Sequence, residues 1–328
     1  MSEQNIIYGD GYIPDQPDSR DKIFYKEIAT TGVHTQAGFL EVKPIPNYNQ
    51  QNLGSCTANA VALALRYGLQ IHTKDKNTEF NPSRLFIWYW AKYLYDPNGV
   101  QYDRGCGIRN AIKSLLQQGC PPENLWPYPG GQVQFPSPLT KPVKLPDELF
   151  KVPNDATQAA KDYFNIKFQY FRIKDADDSK DDKAHKPDAP ASPETSRITQ
   201  IKSCIAEGYP VIFGIRRRQN WEPYRLNNCV DQGGIRVLKE PPTQLEGVWE
   251  GGHALVITGF NRDINRDPKV AMKDKLPGAF EVQNSWGDTL SRFYIPYSYF
   301  ESEWVHDIWV IKIEGLLNDP HGTGKQWQ

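Results

Sequence analysis

Gln50-Gln51-Asn52-Leu53-Gly54-Ser55-Cys56-Thr57-Ala58-Asn59-Ala60, running on into Val61-Ala62-Leu63-Ala64-Leu65, is the stretch on which the reading of this chain turns. Gly54-Ser55 is a turn-forming pair, and the Ala- and Leu-rich run behind it favours helix. Cys56 is thereby delivered to the first turn of a helix. Free N–H groups and the positive end of the helix dipole lie beside a sulfur so placed and favour its thiolate. Gln50, upstream of the cysteine, carries a side-chain amide that can serve the same place as an oxyanion donor. A buried structural thiol is the other reading of Cys56, because free cysteine is among the most buried residue types.

Composition narrows the classes. The chain has 328 residues, enough for two domains or one large bilobed one, and for a substantial core. It is 39% hydrophobic and 23% charged, as soluble globular proteins are, and its formal net charge is −1. Nothing in that balance points to nucleic acid or to an anionic membrane. No apolar run approaches the ~20 residues of a membrane span. Met1-Ser2-Glu3-Gln4-Asn5 lacks the basic and apolar regions of a secretory signal, so a cytoplasmic location is expected, with non-classical export left open. The five cysteines (Cys56, Cys106, Cys120, Cys204, Cys229) are an odd number without a signal, which argues against a disulfide framework. They form no C-x-x-C pair and no zinc spacing, so neither a metal nor another cofactor is expected.

The first 39 residues are turn-rich. Tyr12-Ile13-Pro14-Asp15-Gln16-Pro17-Asp18-Ser19-Arg20-Asp21 alternates prolines with acids and reads as extended backbone. Tyr8, Tyr12, Ile13, Phe24 and Tyr25 are more apolar than a solvated tail needs, so this extension is expected to pack on the body. A second helix is expected over Pro82–Tyr95, with Asn81 as N-cap and Pro82 at the first helical position. Its stripe is Leu85, Trp88, Tyr89, Lys92 and Tyr93. A third runs from Gly107 to Gln118, ended by Gly119 and Pro121-Pro122. Residues 127–155 read as a connecting loop, and 156–173 regain order around Tyr163, Phe164, Phe168, Tyr170 and Phe171. Lys174–Glu194 is too polar to offset its ordering entropy and reads as a mobile insertion containing a solvated His185.

A short amphipathic helix ending near Glu207 then gives way to strands. They are expected at Tyr209–Ile215, His253–Phe260, Phe280–Asn284, Arg292–Ile295 and Ile308–Ile313. Helices first and antiparallel strands second make an α+β architecture in two lobes. Gly251-Gly252-His253 opens one strand, and Asn284-Ser285-Trp286-Gly287 closes another. Taken singly, a strand histidine is more often a satisfied core residue, and an asparagine before a turn more often a turn residue.

Taken together, over roughly residues 40–313, the three stretches resemble the papain-like cysteine peptidases. They are Gln-(five residues)-Cys at a helix start, Gly-His-Ala-Leu on a strand, and Asn-Ser-Trp-Gly, in that order. The resemblance implies a papain-like two-lobed fold, with a helical N-terminal lobe, an antiparallel, barrel-like β lobe, and the active site in the cleft between them. It implies Cys56 as nucleophile, His253 as general base and later acid, Asn284 holding the imidazole, and Gln50 with the Cys56 N–H as oxyanion hole. Trp286 resembles the tryptophan that shields the Asn–His bond. Gly105-Cys106-Gly107 resembles the glycine-bearing rim that pairs with extended substrate. Gly252 and Ala254 would help shape the pocket for the second residue before the cut. A thiolate–imidazolium pair is the expected resting state.

The sequence departs from the usual pattern at Leu53 and Thr57, which stand where the family often has Cys and Trp. It departs again after Asn284-Ser285-Trp286-Gly287, and Arg262–Gly278 reads as a second insertion. With the Tyr12–Asp21 leader and Pro82-Ser83-Arg84-Leu85-Phe86-Ile87-Trp88-Tyr89, the pattern resembles the bacterial and viral branch, which lacks a long propeptide. The expected division is 1–39 as an extension packing on or occluding the cleft, 40–160 as the helical lobe and 161–328 as the β lobe. The expected substrate is a peptide or protein, hydrolysed through a thioester. A catalytically silent peptide-binding homologue, or an acyl or amide transferase using the same pair, stands beside that reading.

Overall fold

A computed structural model of the chain describes residues 10–24, 37–73, 80–134, 143–163, 166–174, 196–218, 223, 225–231, 234–242, 248–262, 264 and 278–316. Nearly all of both expected insertions, with His185, lies outside these residues, as do 1–9 and 25–36 of the extension. Helix α1 (Cys56–His72) begins at Ser55, as its turn chemistry requires, and every residue from Cys56 to Leu65 is buried. It is hydrophobic all round because it lies between α2 and α3 on one side and the sheet on the other. Gly68 permits the closest approach: a Cβ there would fall 2.8 Å from Cδ1 of Ile313 on the facing strand.

Helix α2 spans Arg84–Tyr95, two residues shorter at its start than expected. Its N-cap is Ser83, whose hydroxyl accepts from the Phe86 N–H at 3.3 Å. Asn81 instead accepts from the Tyr48 hydroxyl at 2.6 Å, so its side chain is occupied elsewhere. The buried stripe also shifts. Phe86, Ile87 and Ala91 join Leu85, Trp88 and Lys92, whereas Tyr93 is exposed. Lys92 is tolerated there because its Nζ donates to the carbonyls of Val100 and Tyr102. Helix α3 (Ile108–Gln118) ends at Gly119, which adopts the positive φ of +73°.

Residues 154–173 divide into α4 (Asn154–Tyr163) and strand β2 (Ile166–Ile173). Helix α5 (Arg197–Ala206) then leads into the sheet, and α6 (Tyr297–Phe300) is a single turn. The sheet comprises β1 (Ala37–Phe39), β2, β3 (Val211–Arg218), β4 (Cys229–Asp231), β5 (Arg236–Leu238), β6 (Trp249–Asn261), β7 (Ala279–Gln283), β8 (Arg292–Pro296) and β9 (Val305–Leu316). Its order is β2-β9-β3-β6-β7-β8-β5-β4, with β1 added beside β6. Every pair is antiparallel except β5 with β8, a departure from the wholly antiparallel expectation. Those two strands touch at a single residue pair, which hairpin logic in the sequence does not foretell.

The sheet is buried on both faces. Ile212, Ala254, Val256, Trp309 and Ile311 join the core under the helices. Val211, Phe213, Leu255, Ile257 and Val310 join a second core on the far face. That double burial explains why these strands read as continuous apolar runs rather than alternating ones. No helix among the described residues is long and apolar enough to cross a membrane.

Candidate active site

Cys56 is the first residue of α1 and is completely buried. Its own N–H, like the others of the first turn, has no acceptor within the helix. The backbone N–H groups of Ala254 and Gly11 lie on the side of its sulfur and favour its charged form. Ala254 follows His253 on β6, so the sheet brings the imidazole-bearing residue directly against the start of the helix. His253 Nε2 lies 2.7 Å from Asn284 Oδ1. The same oxygen accepts from the Ser285 N–H at 2.8 Å. It is therefore the acceptor of both, His253 carries its proton on Nε2, and Nδ1 is the nitrogen that exchanges a proton. The Trp286 ring tilts over the imidazole with centroids 5.0 Å apart, and Arg225 lies 5.5 Å above Trp286 on its other contact.

Gln50 is held from three directions. Its N–H donates to the Ser285 carbonyl at 2.8 Å, and its Oε1 accepts from the Ser285 hydroxyl at 2.7 Å. Its Nε2 donates to the Leu53 carbonyl at 2.9 Å. An amide nitrogen carries two hydrogens, so Nε2 is chemically able to serve a substrate oxygen as well as the Leu53 carbonyl. All five cysteines are thiols.

An extended segment, residues 10–24, runs through this site as a strap. Ile13 N–H donates to the Cys106 carbonyl at 3.2 Å, and Cys106 N–H to the Gly11 carbonyl at 2.9 Å. Tyr12 N–H donates to the Gly252 carbonyl at 3.2 Å, so the strap pairs with both walls of the cleft. Gly11 permits this closeness: a Cβ there would fall 2.1 Å from the Gly54 carbonyl oxygen. Thr57 donates to the Cys106 carbonyl at 3.0 Å. Further along, the Asp15 carboxylate accepts from Trp309 Nε1 at 3.0 Å and from the Arg109 N–H at 3.1 Å. Gly107, at the start of α3, leaves room for that carboxylate. Arg109 pairs with Asp21 at 2.5 Å, and the strap ends bonded to Arg172 on β2.

Burial under the strap sets the charge state. It pushes the Cys56 thiol up to about 12, against the lowering by the Ala254 and Gly11 N–H groups. It also holds His253 down to about 4; the Asn284 bond opposes this and the Arg225 charge adds to it. Burial thus favours the neutral thiol and the neutral imidazole, and it works against the thiolate–imidazolium pair that the helix start and the neighbouring ring favour.

The structure gathers Gln50, Cys56, His253, Asn284 and Trp286 with Gly105, Cys106, Gly107, Gly252 and Ala254 around one strap. Sequence reasoning missed Ser285 as the clamp on Gln50, and it missed Asp307. The Asp307 Oδ2 accepts the Tyr12 hydroxyl at 2.5 Å and the Asp15 N–H at 2.7 Å. An acid inside the apolar run Trp304–Trp309 was the signal available.

No family model matches the chain. An uncharacterized peptidase C1-like protein of Acanthamoeba polyphaga mimivirus is 29% identical over 332 residues, covering 95% of this chain and 89% of the relative. Xylellain, a cysteine protease from Xylella fastidiosa, superposes with a TM-score of 0.68 at 28% identity, over 95% of this chain and 98% of its own. Over nearly its whole length the chain is similar to papain-like cysteine peptidases. A digestive procathepsin L2 of Tenebrio molitor shares the fold at a TM-score of 0.54 and 14% identity, over 93% of this chain and 78% of its own. In this chain the strap lies between α1 with the Gly105–Gly107 rim and β6.

Proposed function

We propose that this protein hydrolyses peptide bonds of peptide or protein substrates through a thioester on Cys56. Nδ1 of His253 takes the thiol proton, and the sulfur attacks the scissile carbonyl carbon. The resulting oxyanion is met by the Cys56 N–H and by Nε2 of Gln50. The C–N bond then breaks, and the imidazolium returns its proton to the leaving amine. Water, deprotonated by the same imidazole, attacks the thioester and regenerates the thiol. Asn284 fixes the ring so that Nδ1 is the working nitrogen, and Trp286 covers that bond.

The observation that carries this reading is the 2.7 Å bond between Asn284 and His253, on the strand whose next residue, Ala254, acts on the Cys56 thiol at the start of α1. We also propose that residues 10–24 hold the enzyme closed until they leave the cleft, since their backbone bonds to Cys106 on one wall and to Gly252 on the other. A cytoplasmic location is supported by the five thiols, and binding of neither nucleic acid nor membrane is called for by a net charge of −1. The test is hydrolysis of a diverse peptide library under reducing conditions. Cleavage abolished in both Cys56→Ala and His253→Ala is expected. Cleavage that survives either change contradicts the assignment.

A further inference from the structure

Leu53 and Gly54 share one peptide group, and both of its polar atoms are held. Its carbonyl accepts from Gln50 Nε2 at 2.9 Å and from the Ser55 N–H at 2.8 Å. Its N–H donates to Asp103 Oδ1 at 2.9 Å. Asp103 is thus one peptide group removed from the amide proposed to meet the oxyanion. Gly54 carries no Cβ to crowd that carboxylate: one there would fall 3.2 Å from Oδ1.

The carboxylate is itself anchored. In the peptide that precedes Asp103, the Tyr102 carbonyl accepts from Lys92 Nζ at 3.1 Å, and the Asp103 N–H donates to the Val143 carbonyl at 2.7 Å. On the other side, the Arg104 carbonyl accepts from Trp88 Nε1 at 3.0 Å. Lys92 also donates to the Val100 carbonyl at 2.9 Å and lies 3.6 Å from the centre of the Trp88 ring. Trp88 and Lys92, one turn apart on α2, therefore fix the backbone on both sides of Asp103. Lys92 is only 3% exposed, and a buried ammonium needs a negative charge near it as well as acceptors. Asp103 supplies that charge. Burial pushes Asp103 up to about 6, against the Gly54 N–H and the Lys92 charge that favour its carboxylate. Above that pH it meets the Gly54 N–H as a carboxylate, the stronger kind of acceptor.

We propose that Asp103 is a positioning residue for the oxyanion donor: by holding the Gly54 N–H, it fixes the peptide plane on whose carbonyl Gln50 Nε2 rests. The proposal rests on the peptidase reading above. Released from Asp103, the Leu53–Gly54 peptide is free to turn, and its carbonyl carries the Gln50 amide with it. Ser285 holds the oxygen end of that amide at 2.7 Å. Asp103 governs the nitrogen end, the one that would meet the oxyanion. Because Asp103 stands two residues before Gly105, the same contact sets the spacing between that donor and the rim that pairs with the strap.

The test is a double-mutant cycle in the full chain carrying Tyr12→Ala, chosen to open the cleft. Asp103→Ala should lower kcat about 10-fold with KM within about twofold, less than the ~10²- to 10³-fold lost with a whole oxyanion donor. Asp103→Asn should recover most of that rate, because its carbonyl oxygen still accepts from Gly54. In the Gln50→Ala background, Asp103→Ala should lower kcat by less than about twofold, since the group it positions is gone. A second readout needs no turnover. In the Cys56→Ala chain with isotope-labelled glutamine, the Gln50 side-chain amide resonances, assigned through Gln50→Ala, should shift in Asp103→Ala and hold in Asp103→Asn. That pattern with no peptide hydrolysed supports the positioning role and overturns the peptidase reading alone. An equal loss of kcat with and without Gln50, an asparagine variant no better than alanine, or unmoved Gln50 resonances overturns the role. If Asp103→Ala does not fold, Asp103→Glu, which displaces the oxygen by one methylene, replaces it in both measurements with the same expectations.

Discussion

Replacing Tyr12 by alanine should uncover Cys56, and the size of the effect follows from what the side chain touches. The ring is almost wholly buried, and its hydroxyl donates to Asp307 at 2.5 Å. Truncating a buried aromatic residue costs about 3–5 kcal/mol. That cost falls on strap docking, because Tyr12 belongs to the strap and its ring and hydroxyl meet Gly214, Gly252 and Asp307 of the body. At about 1.4 kcal/mol per decade, the fraction of molecules with the strap out rises by about 10²- to 10³-fold or more. When the strap opens and closes faster than reagent reacts, alkylation of Cys56 by iodoacetamide rises by the same factor. The assay is peptide mapping by mass spectrometry after timed alkylation at one pH, with unmodified chain alongside. Tyr12→Phe keeps the ring and should move the rate by less, about 10- to 100-fold, the value of a lost hydrogen bond to a charged acceptor. If Tyr12→Ala labels Cys56 no faster than the unmodified chain, the strap does not control access to the sulfur.

Strap docking should also depend on pH through Asp15. Burial and the neighbouring Asp307 carboxylate push Asp15 up to about 7, against the Arg109 and Trp309 N–H groups that hold its charged form. A carboxyl raised in the docked state stabilises docking at acid pH, and that stabilisation is lost as pH climbs from about 4 to about 7. Asp15→Asn should therefore label at Cys56 more slowly than the unmodified chain, with the gap widening over that range and constant above it; a gap independent of pH refutes this. Gln50→Ala should lower kcat by about 10²- to 10³-fold with little change in KM, the measured pattern for a lost oxyanion donor. Asn284→Ala should cost about 10- to 100-fold in kcat/KM, since it removes the bond that sets the ring's tautomer. Away from the cleft, Glu123 accepts three bonds from Arg84, which stacks on Tyr48 and Tyr128 with its guanidinium 4.4 and 4.1 Å from their centroids. Glu123→Ala removes the carboxylate from that half-buried guanidinium, leaving it the two rings and Asn59, and should cost about 1–3 kcal/mol of stability in denaturant titration.

The start of α1 was legible because its causes are local: a turn pair, then residues that favour helix. The same holds for the end of α3, where Gly119 supplies a positive φ. The central strands were legible because they are buried on two faces and therefore read as unbroken apolar runs. Asn81 misled because its side chain is drawn to Tyr48, a partner 33 residues earlier that no local rule detects. The thiolate–imidazolium expectation considered the helix start and the imidazole but not the cover over both. Strand β2 and the β5–β8 pair were missed because only distant partners hold them in the sheet. Asp307 showed in the sequence only as an acid inside an apolar run, and its role did not, as the hydroxyl it accepts belongs to a residue 295 positions away.

The central claim is that one sulfur carries the acyl group, and acid-quench trapping tests it most directly. The Tyr12→Ala chain is mixed with an activated peptide ester, quenched in milliseconds and mapped by mass spectrometry. The account predicts a single acyl thioester on Cys56 that forms and decays with turnover and does not form in His253→Ala. An acyl group on any other residue, or turnover that persists in Cys56→Ala, contradicts it.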